Sequence, residues 1–87
     1  MDPTLHQKQA VNHLNKVLSY APMVAEDGQA TVHLTPEDWH VVADALFRMD
    51  TPREMLPEAI EDYRLTRENA TIELKTDEYV IEVEMIG

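Results

Sequence analysis

The sequence TIELKTDEYVIEVEM at residues 71–85 alternates apolar and polar side chains on both sides of a short polar break. Its apolar residues follow the period of two of a β-strand and are Ile72, Leu74, Ile81, Val83 and Met85. A turn of two or four residues centred on Asp77 and Glu78 places Leu74 opposite Ile81. We therefore predict an antiparallel β-hairpin with one apolar face, and this hairpin decides the fold class.

The other face of the predicted hairpin carries three glutamates. Glu73 stands opposite Glu82 in the same register, and such a like-charge pair lowers the stability of a hairpin. Glu84 lies two residues beyond Glu82, about 6.8 Å away, which is similar to the spacing of successive phosphates in an extended nucleic-acid strand. We interpret this face as an acidic surface that serves binding.

The first half of the chain predicts two helices with a strand between them. Pro3 at a first helical position and the helical spacing of apolar residues indicate helix one at about residues 3–20, ended by Pro22. Apolar and polar residues alternate over 30–34, after a turn signal, and predict a short strand. Thr35 precedes a proline and two acids, which is the pattern of a helix N-cap, so helix two begins there.

A third helix is predicted after helix two. Thr51 repeats the Thr-Pro start signal as an N-cap, but Pro57 would break a helix that began there, so we expect a turn at 52–56 and helix three at 57–67. The order is then α-β-α-α-β-β in a single α+β domain of residues 1–87, with three helices packed on one face of a three-stranded antiparallel sheet. The inward positions form the expected core, which is Trp39, Val42, Leu46, Leu14, Leu18, Ile60, Ile72, Leu74, Ile81 and Val83.

The residue types that most catalytic and cofactor sites need are scarce. The chain has no cysteine, one serine and two glycines, which excludes thiol chemistry, a serine nucleophile elbow and glycine-rich phosphate loops. His6 and His13 lie about 10 Å apart along helix one, too far to share one metal ion by themselves. His33 and His40 belong to different elements. We therefore predict no enzyme activity, no catalytic residue, no cofactor and no metal.

The start of the chain bears on the compartment. The residues MDPTLHQKQA lack the basic and apolar segments of a secretory signal, and no apolar run in the chain approaches the roughly 18 residues of a membrane span. We expect a cytoplasmic protein that does not bind a membrane.

Acidic residues dominate the second part of the chain. The 7 Lys and Arg and 17 Asp and Glu give a formal net charge of −10, and residues 36–87 hold 14 of the acids and 5 of the bases. Because phosphate contacts need Lys and Arg, direct nucleic-acid binding is excluded and a basic protein surface is the expected partner. The acids and one leucine among them that we assign to partner binding are Glu54, Glu58, Glu61, Asp62, Leu65, Glu73, Glu82 and Glu84.

The predicted function is that of a non-enzymatic inhibitor or regulator that occupies the nucleic-acid-binding surface of a larger basic protein. In size, charge and absence of catalytic motifs the chain is similar to small phage-encoded inhibitors, such as anti-CRISPR proteins and DNA mimics, and to nuclease immunity proteins. This similarity is one of profile, because no family motif covers any part of the chain. Two alternatives stay open. The acids only keep the protein soluble, or the chain is a homo-oligomeric structural or assembly protein, such as a homodimer, that pairs through helix one and helix two.

Overall fold

A computed structural model describes residues 3–68 and 70–86, which form two α-helices, one 3-10 turn and a four-stranded mixed sheet. The elements are α1 (Pro3–Val24), β1 (Gln29–Leu34), α2 (Pro36–Phe47), the 3-10 turn (Arg53–Met55), β2 (Asp62–Thr66), β3 (Thr71–Lys75) and β4 (Val80–Met85). The class is α+β, but the predicted arrangement of three helices on a three-stranded antiparallel sheet is wrong.

The strands lie in the order β1-β4-β3-β2. β3 and β4 form the predicted hairpin with the predicted register, since Leu74 pairs with Ile81 and Glu73 with Glu82. β2 adds to the other side of β3 in antiparallel orientation, whereas β1 lies parallel to β4. An antiparallel β1 is wrong because α2, which contacts both β1 and β4, carries the chain back over one face of the sheet, as a parallel connection requires.

The two helices cover one face of the sheet with their apolar sides. The buried residues of α1 recur at helical spacing and are Ala10, Leu14, Val17 and Ala21. The predicted end of helix one at residue 20 is too early, because α1 continues through Pro22 to Val24. α2 begins where predicted, and the hydroxyl of Thr35 accepts a hydrogen bond from the Asp38 N–H at 3.2 Å.

The core lies between these helices and the sheet. Nine of the ten predicted core residues are buried, and Leu18 is half-buried and packs against them. Trp39 joins α2 to the central strand β4, since its indole N–H donates to the Val83 carbonyl at 2.9 Å. This bond satisfies the polar end of the largest core side chain, so the ring is buried without an unpaired donor.

The prediction of helix three at 57–67 is wrong. The chain forms a loop and then β2 in this range, after the 3-10 turn. Leu56 and Ile60 have helical spacing and are both buried, at 6% and 0% exposure, but they anchor an irregular linker to the core. Leu56 has extended backbone, with φ −80° and ψ 150°, which is the conformation that a following proline favours, and Pro57 follows it.

The N-cap predicted at Thr51 is also wrong, because no helix starts there in the described chain. Its hydroxyl donates to the Ala45 carbonyl at 2.8 Å and accepts from the Gln7 side-chain amide at 3.0 Å. Thr51 therefore ties the end of α2 to the start of α1.

β2 lies in the segment for which helix three was predicted. Tyr63 and Leu65 alternate with polar residues and pair with Leu74 and Ile72 of β3, so their apolar side chains extend the covered face of the sheet. Pairing with β3 also satisfies backbone groups that a helix would leave open along the edge of β3. The tertiary environment therefore favours a strand in this segment.

Candidate protein-binding surface

The sheet has a second face that neither helix covers, which we call the open face. It displays three rows of side chains across the four strands: Gln29, Val80, Lys75 and Asp62; Thr31, Glu82, Glu73 and Arg64; His33, Glu84, Thr71 and Thr66. The rows follow from the period of two in each strand, because residues on either side of these positions point into the core. The three glutamates predicted for this face are on it.

The glutamates of the open face are paired with cations. Arg64 Nε donates to Glu73 Oε1 at 2.8 Å, and this hydrogen bond, together with the charge of Glu73, raises the pKa of the Arg64 guanidinium above its usual value. Arg67 bridges two strand positions of β4, with nitrogen–oxygen distances of 3.2 Å to Glu82 and 2.9 Å to Glu84. These pairs offset the repulsion predicted between Glu73 and Glu82.

Glu82 is the most enclosed of these carboxylates. Its side chain is 11% exposed, against 27% for Glu73 and 26% for Glu84. The side-chain amide of Gln29 also donates to Glu82. The ionised form of such a carboxylate depends on its partners, because an unpaired charge that is shielded from water destabilises the folded state much more than an unpaired charge at the surface.

The loop after β2 holds Arg67 over the sheet in an uncommon backbone conformation. Arg67 and Glu68 have φ values of 51° and 59°, in the left-handed region, although neither is glycine. This conformation costs roughly 1–2 kcal/mol for a residue with a side chain. The guanidinium contacts with Glu82 and Glu84 are one source of the energy that maintains it.

Exposed acids also gather at one end of the sheet, where β1, β4 and β2 begin and β3 ends. The Val80 N–H donates to the Gly28 carbonyl at 3.0 Å, and the Glu61 N–H donates to the Lys75 carbonyl at 2.7 Å, so the connecting segments meet there. We call these acids the acidic rim: Glu26, Asp27, Glu61, Asp62, Asp77 and Glu78. Four strands span about 14 Å, so the rim is compact.

The acidic rim has less compensation than the open face, although the charge of Asp62 adds to that of Glu73 in raising the pKa of Arg64. Within residues 3–68 and 70–86, none of its six carboxylates forms a salt bridge. Lys75 lies opposite Asp62 in the row of the open face next to the rim, and among the described residues its ammonium forms no salt bridge. The rim therefore presents a net negative charge to solvent.

The remaining residues assigned to partner binding are dispersed. Glu54 and Glu58 are exposed in the linker and share no helical face. Ala59, next to Glu58, lines a depression of about 200 Å³ together with Asp77 and Glu78, so this part of the linker borders the acidic rim. Leu65 is half-buried on the covered face of β2, so its expected place among the acids is wrong because that place depended on helix three.

An exposed apolar cluster at the end of α1 was missed by the sequence analysis. Tyr20, Met23 and Val24 are 56%, 76% and 52% exposed and follow the i, i+3, i+4 spacing of one helix face. Two residues after Val24 the chain reaches Glu26, the first acid of the rim. The helical spacing of Tyr20, Met23 and Val24 could have indicated this cluster, but the predicted helix ended at residue 20, before Met23 and Val24.

Three further observations bear on the class of protein. Among the described residues, no group of three or more His, Cys, Asp or Glu side chains could hold a metal ion. In the part of the chain that the structure describes, neither helix is both long and apolar enough to cross a membrane. No family model, curated protein or solved structure matches the chain.

Proposed function

We propose that the protein is a non-enzymatic inhibitor or regulator that binds the nucleic-acid-binding surface of a larger basic protein, with the acidic rim as its main contact. The observation that carries this proposal is the group of six exposed carboxylates at one end of the sheet, none of which forms a salt bridge with a residue that the structure describes. A surface of one charge sign attracts a surface of the opposite sign, steers its approach and disfavours acidic partners.

The charge density of the rim supports a target that normally binds nucleic acid. Duplex DNA places one phosphate charge in about every 1.7 Å of its axis, or about eight in 14 Å. The rim holds six carboxylates across a sheet of about 14 Å. A groove of Lys and Arg that fits DNA would therefore meet a comparable density of negative charge.

The apolar cluster at the end of α1 supports a protein partner over a purely solubilising role. Val24 lines a depression together with Glu26 and Asp27, so the end of this apolar helix face is adjacent to acidic surface. Protein interfaces combine an apolar centre with a polar surround, and aromatic residues and methionine are enriched in them. Acids that served only solubility would need no exposed apolar neighbours.

The homo-oligomer alternative has less support. The apolar side of α1 that it requires is packed inside one chain, with Leu14, Val17 and Ala21 no more than 1% exposed. Ala45, on the back of α2, is 1% exposed. These residues are unavailable for pairing between folded subunits.

The test compares two double variants with the same change in charge. Asp77→Lys with Glu78→Lys alters the acidic rim, and Glu37→Lys with Glu68→Lys alters exposed acids at the opposite end of the sheet. Wild-type protein and both variants are immobilised for capture of partners from a cell extract, and the affinity of the purified partner is measured by titration calorimetry.

We expect the captured partner to be a nucleic-acid-binding protein from which DNA or RNA displaces the wild type. The rim variant should bind at least about tenfold more weakly, because attraction becomes repulsion, while the control stays close to wild type. Equal affinity of the two double variants would contradict the role of the rim. Failure of nucleic acid to compete would contradict the proposed target surface.

A further inference from the structure

Among the residues that the structure describes, the outer edge of β1 has backbone groups without a hydrogen-bond partner. The Gly28 and Leu34 carbonyls both accept hydrogen bonds from the β4 side, from Val80 and Ile86. Alternate residues of a strand direct their backbone groups to opposite edges, so the N–H and C=O groups of odd-numbered residues point away from β4. Gln29 uses both of its groups to pair with Glu26, at 2.7 and 3.0 Å. The groups of Thr31 and His33 therefore face solvent.

This edge lacks the features by which proteins prevent strand addition. The six residues of β1, QATVHL, contain no proline, lysine or carboxylate, and their pairing with β4 has no bulge. The other edge of the sheet, β2, carries Asp62 and Arg64 on its open face. β1 is thus the less protected of the two edges.

One residue of the chain, Glu26, already pairs with the outer edge of β1 as an added strand would. Asp27 and Gly28 have φ values of 53° and 79°, as in a type I′ turn, and this turn pairs Glu26 with Gln29 in antiparallel orientation. The segment before Glu26 is helical up to Val24, so the outer strand stops after one pair. A depression of about 410 Å³, lined by Val24, Glu26, Gln29 and Thr31 among others, continues along the edge.

We propose that this edge accepts an extended basic segment of the partner as an added strand. Backbone bonds would form to Thr31 and His33, and Lys or Arg side chains of the segment would approach Glu26 and Asp27. The exposed Val24 supplies apolar contact at the same place. The inference that the segment is basic rests on the proposed function. The inference that it binds as an added strand rests on the unpaired backbone groups of β1.

Charge complementarity favours a basic segment over a second copy of this chain. If two β1 strands paired in antiparallel orientation, each copy would bring Glu26 and Asp27 to the edge of a chain of the same charge sign. Each chain also has a formal net charge of −10. The acids beside this edge therefore attract a lysine-rich strand and repel a second copy of the chain.

The experiment uses the full chain, labelled with ¹⁵N, and three synthetic ten-residue peptides. The first alternates lysine and valine, the second alternates glutamate and valine, and the third is the lysine peptide N-methylated at its four central residues. N-methylation removes the backbone donors along both strand edges but keeps the charge. Binding is followed by amide chemical shifts and by hydrogen exchange at single residues.

We expect the lysine peptide to slow exchange at the Thr31 and His33 amides by at least about tenfold, because they become hydrogen-bonded. The Ala30 and Val32 amides, which face β4, should change little. The glutamate peptide and the N-methylated peptide should not protect Thr31 or His33. Sedimentation velocity of the free chain gives the second test, and a concentration-dependent dimer formed through β1 would overturn the choice of a basic occupant.

The outcomes separate this inference from the proposed function. If the N-methylated peptide binds as tightly as its parent and shifts only rim residues, strand addition is wrong and the acidic rim remains the contact. If the glutamate peptide protects Thr31 and His33 as well as the lysine peptide does, strand addition holds and the basic partner is wrong. Absence of binding by all three peptides would contradict the strand-addition inference and leave the rim to be tested with the captured partner.

A variant test in the same chain uses Thr31→Pro with Thr31→Val as its control. The proline removes the N–H that faces the open edge and leaves the N–H groups that face β4, which edge strands tolerate, and the valine keeps the removed donor. We expect the proline variant to lose peptide binding and the valine variant to keep it. His33→Pro repeats the test on the same edge if Thr31→Pro does not fold, and full binding by a folded proline variant would contradict the proposal.

Discussion

The open face and the acidic rim carry carboxylates on adjacent parts of one sheet, but their electrostatic environments differ. On the open face Arg64 and Arg67 bind Glu73, Glu82 and Glu84 at distances of 2.8 to 3.2 Å. At the rim, six acids have no ion pair with any residue that the structure describes. Each acid of either group contributes equally to the net charge of the chain. A basic partner is attracted mainly by the rim, because its acids form no salt bridges within the described chain.

The difference also separates two roles for an acid in a small domain. A carboxylate that is enclosed and paired, such as Glu82, contributes to the order of the sheet. An exposed acid without a partner contributes little to folding, and among several like charges it slightly opposes it. The open face is thus a structural surface, and the rim is the surface that we propose for binding.

The largest expected effect concerns the linker that leads into the rim. Ile60 is fully buried and directly precedes Glu61 and Asp62, so it holds this side of the rim against the core. Ile60→Ala should lower the free energy of unfolding by about 2–5 kcal/mol, because it leaves a cavity. Denaturant unfolding measures this loss, and a loss within the surface range of about 0.5 kcal/mol would show that the linker is not anchored there.

A smaller effect is expected from Arg67 on the open face. Arg67→Gln should lower the free energy of unfolding by about 1–2 kcal/mol, because Glu82 and Glu84 lose their shared cation. Arg48 is the matched control, since its pair with Asp44 at 3.7 Å lies on an exposed helix turn with the arginine 83% exposed. Arg48→Gln should cost no more than about 0.5 kcal/mol. Equal losses in thermal or denaturant unfolding would contradict the special role of Arg67.

The smallest expected effect concerns the rim and has the opposite sign. Asp77→Asn with Glu78→Gln should raise the free energy of unfolding by a few tenths of a kcal/mol at low salt, because like charges are removed. At 1 M salt, where the Debye length is about 3 Å, this gain should disappear. The Arg67→Gln loss should persist more strongly in salt, since Glu82 is enclosed. A stability loss in the rim variant would mean that these acids have structural partners.

Local patterns predicted the parts of the fold that depend on neighbours in sequence. The alternation of Ile72, Leu74, Ile81 and Val83 was sufficient for the hairpin and its register, because a shift of one residue would expose all four. Thr35 and the proline after it were sufficient for the start of α2. The open-face position of the three glutamates followed from the same alternation.

The segment from 51 to 67 was mispredicted because its local pattern is ambiguous. Leu56 and Ile60 fit a helical face, whereas Tyr63 and Leu65 fit a strand, and short apolar sets often fit both periods. Pairing with β3 and burial of Ile60 resolve the ambiguity in the folded chain. Both effects come from residues outside the segment, so a pattern within the segment could not decide between them.

The sequence by itself determined the hairpin, the amphipathic helices, most of the core and the excess of negative charge. Each depends on side-chain spacing or composition, which act over a few residues or over the whole chain. Only the tertiary structure decided that β1 lies parallel to β4 with an open edge, that Arg67 reaches Glu82 and Glu84, and that six acids meet at the rim. These features depend on which strands become neighbours, and that choice follows from packing both helices on one face of the sheet.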